Sequence, residues 1–158
     1  MTVRSASSAK VPAHPSFVVG WREWIALPDL GVPRIKAKID TGAKSSAIHA
    51  FRPQRFERDG AQWVRFAIHP VQEHRHPEIL AEAPVVDERT VRSSNGQMET
   101  RLVVRTRIGL YGRSWPIELS LTNRDQMGFR MLVGRQALRH RCLVDAAASF
   151  VAGDTPLP

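Results

Sequence analysis

Along most of the chain hydrophobic and polar residues alternate with a period of two, the spacing of strands buried on one face. Ile35, Ala37 and Ile39 alternate with Lys36 and Lys38, and Leu102, Val104, Thr106 and Ile108 with Arg101, Arg105 and Arg107. Trp115, Ile117, Leu119 and Leu121 alternate with Glu118 and Ser120, while Trp63, Phe66 and Ile68 lie in a shorter apolar run. Turn chemistry separates these segments. Asp29-Leu30-Gly31-Val32-Pro33 links a strand around Trp21–Leu27 to Arg34–Ile39, and Tyr111-Gly112 links Arg101–Leu110 to Trp115–Leu121. Asn95-Gly96 is a hairpin tip, because both residues tolerate positive φ. A meander of hairpins is expected. The single helical stretch is short, Arg135 to His140, entered from Met131-Leu132-Val133 through Gly134. With no βαβ alternation and no internal repeat, the pattern predicts a mainly β domain, a small closed barrel or a sandwich, with one short C-terminal helix.

The ends break the pattern. Residues 1–16 are rich in Ser, Ala and Pro and read as a mobile arm, 152–158 read as a frayed tail, and 17–151 form the expected domain. A chain of 158 residues suits one domain, and 42% hydrophobic with 24% charged residues is enough to build a core. No apolar run approaches the ~18 residues of a membrane span and no leader pattern opens the chain, so a soluble cytoplasmic protein with no membrane partner is expected. Cys142 is the only cysteine, which excludes an intrachain disulfide and a thiolate-rich metal site. The formal charge is +8, and 19 of the 23 basic residues are arginine. Arginine's planar fork suits carboxylate or phosphate, so an anionic partner is indicated; solvated strand faces would account for the same excess.

Candidate chemistry lies at Ile39-Asp40-Thr41-Gly42-Ala43, where an alternating strand meets a turn. The carboxylate of Asp40 falls at the rim of the core, and glycine allows the backbone to bend beneath it. Met131-Leu132-Val133-Gly134-Arg135 forms the second element, and the tip Ser93-Ser94-Asn95-Gly96 falls between the two. Together these resemble the retropepsin-like aspartic proteases, in which an apolar strand ends in Asp-Thr-Gly-Ala and an apolar pair near the C-terminus precedes Gly-Arg and a short helix. The resemblance runs from about Val18 to Val144. Leu119 to Arg135 is most similar to a bacterial group labelled ATP-dependent zinc proteases, associated with a RimK-type ligase that adds glutamates to a ribosomal protein.

The label can be tested against the residues. No Gly-x-x-x-x-Gly-Lys-Ser/Thr is present to cradle ATP, and no His-Glu-x-x-His to hold zinc. Glu73-His74-Arg75-His76 with Glu78 reads as a solvated turn, so neither metal nor cofactor is expected. Cys142, beside Leu143 and Val144, reads as a core residue and not as a nucleophile.

Of seven aspartates only Asp40 precedes Thr/Ser-Gly. An aspartic protease needs two carboxylates sharing a proton, so the resemblance implies a homodimer with Asp40 and its symmetry mate as the dyad. It further implies that Thr41 hydrogen-bonds across the twofold, Gly42 presents backbone to substrate, Ala43 lines the site, Gly134 lets its loop pass close to Asp40, and the tip from Ser93 through Gln97 closes over a peptide. Retroviral members carry an acid where this chain has Lys44, paired with the arginine found here as Arg135. Two cations there are unfavourable unless an anion intervenes, which points to acidic, glutamate-rich substrates received by Lys44 and Arg135. The expectation is an aspartic peptidase acting on acidic protein tails, with a RimK-type ligase and a ribosomal protein as further partners. A non-enzymatic basic domain binding RNA or the ribosome, and an inactive adaptor for a glutamate ligase, are the alternatives.

Overall fold

Strands with one apolar face bury it only by packing against another such face or by curling into a barrel, and this chain does the latter. The computed structural model describes residues 17–92, 96–123 and 128–152. Its strands are β1 (Phe17–Leu27), β2 (Val32–Asp40), β3 (Ser46–His49), β4 (Phe51–Arg58), β5 (Ala61–Ile68), β6 (Ile79–Arg92), β7 (Met98–Leu110), β8 (Arg113–Thr122), β9 (Met131–Gly134) and β10 (Cys142–Ser149), with one α-helix among the described residues, α1 (Arg135–Leu138), and a single 3-10 turn at Pro28–Leu30. They form a single sheet in the order β10-β1-β2-β9-β3-β8-β7-β6-β5-β4. A β1 to β7 pairing at Ala26 and Gly109 closes the six strands from β1 to β7 into a barrel. The protein is mainly β and built on a closed barrel, as the alternation and the resemblance led one to expect.

The period-two faces point where the pattern placed them. Val32, Ile35, Ala37 and Ile39 of β2 are buried, as are Ile108 of β7 and Trp115, Ile117, Leu119 and Leu121 of β8. Trp115 satisfies its one polar group by donating Nε1–H to the Ala137 carbonyl of α1 at 2.9 Å. The turn at Tyr111-Gly112 is a two-residue hairpin loop in which both residues have positive φ, 56° and 71°.

Five pairings depart from a meander: β1 with β10, β2 with β9 and β3 with β8 run parallel, and β3 with β9 and β1 with β7 are antiparallel but join strands distant in the chain. Alternation gives the buried face of a strand and not the direction of its neighbour, so these long-range pairings were invisible locally. The helix is also shorter than expected. It stops at Leu138, Arg139 leaves the helical region at φ −53° and ψ 132°, and His140 takes a left-handed φ of 66°.

Glu23 is buried, yet its carboxylate accepts from three backbone N–H groups, Gly20 at 2.6 Å, Val151 at 3.0 Å and Ala152 at 3.1 Å. Three such donors compensate for the lost hydration of a buried charge. They also fasten Val151 and Ala152 to β1; Ala152, assigned to the tail from sequence, is buried. Outside the barrel, β4, β5 and β6 form an extension with an outer layer of ion pairs, Arg55 with Glu88 and both Arg58 and Arg65 with Glu82.

Candidate active site

Asp40 is the last residue of β2, and its neighbour on β9 is Gly134. The short distance between these two segments is set by backbone. A Cβ built on Gly134 would lie 2.4 Å from the Ser45 carbonyl oxygen and 2.9 Å from that of Ala43, so only glycine fits there. The Gly134 N–H donates to Ser46 Oγ at 3.0 Å, Arg135 N–H to the Ala43 carbonyl at 2.8 Å, and Gln136 N–H to the Lys44 carbonyl at 3.1 Å. The loop after Asp40 is thereby laced to the start of α1.

Within that loop the Gly42 N–H donates to Asp40 Oδ1 at 2.9 Å, and the Ala43 N–H to the Asp40 carbonyl at 3.2 Å. One carboxylate oxygen is thus held from behind by backbone. Arg135 reaches back over the loop, its guanidinium donating to the carbonyls of Thr41 at 3.3 Å and Gly42 at 3.2 Å. That side chain holds the Asp40 loop in place. Lys44 shares the exposed loop and lines the cleft.

The cleft, about 330 Å³, is bordered by Asp40, Ala43, Lys44, Ser45, Ser46 and Ala47 below and by Arg89, Val91 and Arg101 above. Among the described residues that line it, Asp40 is the one carboxylate. The upper wall is the β6–β7 hairpin, in which Arg92 pairs with Met98. Ser93, Ser94 and Asn95 lie outside the described residues; Gly96, with φ 85°, and Gln97 complete the described part of the turn. Sequence reasoning missed Arg89 and Arg101. Both stand six positions from Asn95, so a hairpin centred on that residue pairs them, and the tip signal would have sufficed to place them together.

The remaining candidates fall elsewhere. Among the described residues no three His, Cys, Asp or Glu side chains gather as a metal site. His74 is exposed and its Nδ1 lies 3.0 Å from the Gln72 carbonyl, while Glu78 is engaged with Arg52 and His69. Burial pushes the Cys142 thiol up to about 12, which leaves it protonated and unreactive at neutral pH. No helix among the described residues is long and apolar enough to cross a membrane.

A solved structure of a Legionella pneumophila protein of unknown function superposes with a TM-score of 0.72 at 28% identity, covering 87% of this chain and 99% of that one. A Shewanella pealeana protein named probable alpha-L-glutamate ligase is 49% identical over 138 residues, and one of the same name from Parasynechococcus marenigrum is 50% identical over 137. Each alignment takes in 87% of this chain but 30% and 29% of the relative, so the chain spans less than a third of their length. The family model described as retropepsin-like aspartic endopeptidase RimB matches residues 18–155, a span that includes Asp40, the Gly134-Arg135 seam and the hairpin above them. The chain belongs to the RimB-like family of retropepsin-like aspartic endopeptidases.

Proposed function

We propose that the protein is a homodimeric aspartic peptidase that cleaves acidic, glutamate-rich chains. The observation that carries this reading is a single carboxylate, Asp40, held by the Gly42 N–H at the floor of a cleft whose other described lining residues include no acid. One chain supplies half a dyad. A second copy related by a twofold axis brings Asp40 of each protomer together, with the Thr41 side chains hydrogen-bonding across the axis.

In the dyad one carboxylate takes a proton from water as the oxygen attacks the peptide carbonyl, and the other gives its proton to the carbonyl oxygen. Collapse of the tetrahedral intermediate passes a proton to the departing nitrogen, and the C–N bond breaks. The preference for acidic chains rests on Lys44, Arg89 and Arg101 around the cleft. The names of the longer relatives fit, since a glutamate ligase makes an acidic product of that kind; a ligase of RimK type and its ribosomal protein are the partners this reading favours.

The test compares wild type with Asp40→Asn on glutamate-tailed and ordinary peptides, with mass measured in solution. Cleavage by a dimer, lost in Asp40→Asn with the dimer retained, is the expected result. A monomer in solution sinks the reading. Salt-dependent RNA binding unaffected by Asp40→Asn would favour the basic binding domain, and a dimer without turnover the adaptor.

A further inference from the structure

The two arginines above the cleft are placed in a way that strand packing alone does not favour. Arg89 and Arg101 are direct cross-strand neighbours on β6 and β7, and like charges directly opposite destabilise a hairpin. Each is compensated, but unequally. Arg89 donates Nε–H to Asp87 at 2.9 Å and a terminal N–H to Glu118 at 3.0 Å, so two carboxylates fix it. Arg101 has one partner, Glu99, two residues along its own strand, reached through Nε at 2.8 Å. Among the described residues its two terminal nitrogens have no acceptor. These are the groups that grip a carboxylate in a bidentate way.

The Arg101 and Glu99 side chains are only 22% and 25% exposed, so their pairing is screened less than that of the outer arginines. Arg135, the other cation expected to meet substrate, is occupied by the carbonyls of its own loop. We propose that Arg101, beside Arg89, receives a side-chain carboxylate of the substrate on its two terminal nitrogens, and that Glu99, held on Nε, is an internal competitor that partly neutralises the guanidinium and weakens that grip. The proposal rests on the peptidase reading for its substrate and adds the residues that select it.

A competitor has a signature that a merely structural ion pair lacks: its neutral variant improves recognition. The experiment measures kcat/KM for two peptides that differ by one glutamate against glutamine beside the scissile bond. Wild type should favour glutamate roughly ten- to hundredfold, the worth of a charge-assisted hydrogen-bonded pair. Arg101→Gln should bring that ratio close to one, Arg101→Lys should leave part of it, and Glu99→Gln should raise it above wild type. An unchanged ratio in Arg101→Gln, or a lower one in Glu99→Gln, overturns the proposal; the second variant decides if the first fails to fold.

Should wild type cleave neither peptide, calorimetry with hexaglutamate separates the two readings. Binding to wild type that is lost in Arg101→Gln and tightened in Glu99→Gln would keep the carboxylate receptor while the peptidase reading falls. Equal binding to all three proteins, or to none, would remove the receptor as well.

Discussion

The floor and the roof of the cleft are built by different means. On the floor, Asp40, Gly42 and Gly134 are held by backbone hydrogen bonds and by a contact so close that no side chain fits between Gly134 and Ser45. On the roof, Arg89 is held by two carboxylates and Arg101 by one, which leaves the terminal nitrogens of Arg101 open to another carboxylate. Backbone seams have one geometry and tolerate little change; side-chain ion pairs exchange partners at small cost. Fixed chemistry below and exchangeable recognition above is the division of labour a peptidase acting on variable acidic chains would use.

That contrast ranks the expected effects of substitution. Asp40→Asn should lower cleavage by on the order of a thousandfold or more, because in the proposed homodimer it replaces both carboxylates of the dyad; comparable turnover would break the assignment of the floor. Next comes Gly134→Ala. Its Cβ would fall 2.4 Å from the Ser45 oxygen, and loss of about 2–4 kcal/mol in urea unfolding is expected, whereas a shift below about 0.5 kcal/mol would show the seam to be looser than described. Arg135→Ala releases the Thr41 and Gly42 carbonyls at an exposed position, so kcat should fall several-fold while stability changes by no more than about 1 kcal/mol.

A smaller effect checks the barrel and not the cleft. With its thiol pushed up to about 12, Cys142 holds roughly one part in ten thousand as thiolate at pH 8, so a disulfide reagent should react slowly with the folded protein and quickly in urea. The sign follows from burial, which disfavours the charged form. Last, Arg65→Gln in the outer layer should leave the thermal midpoint nearly unchanged, since Glu82 keeps Arg58 as a partner and the pair lies in solvent.

How much of this was legible in the sequence follows the same divide between local and distant relations. The β2 and β8 faces and the Tyr111-Gly112 turn depend on near neighbours, and alternation revealed them. β4 did not show itself: Phe51–Arg58 is an edge strand, mostly exposed on both faces and interrupted by Pro53, so it carries no alternation to read. The parallel seam of β2 with β9 joins residues nearly a hundred positions apart, and the Asp-Thr-Gly and Gly-Arg resemblance, not periodicity, brought them together. Arg135 was legible as a neighbour of the Asp40 loop but not in its direction, because a guanidinium among free carbonyls donates to them before it meets substrate. Lys44 lines the cleft, together with Arg89 and Arg101.

If the proposed dyad forms between two copies, one chain is half of an enzyme. The decisive measurement is the rate of cleavage of a glutamate-tailed peptide as the protein is diluted through its dimer dissociation range. The rate per chain should fall in step with the fraction of dimer measured at each concentration, and Asp40→Asn should show no cleavage at any concentration. A rate per chain that stays constant while the protein becomes monomeric would mean that one chain carries a complete site.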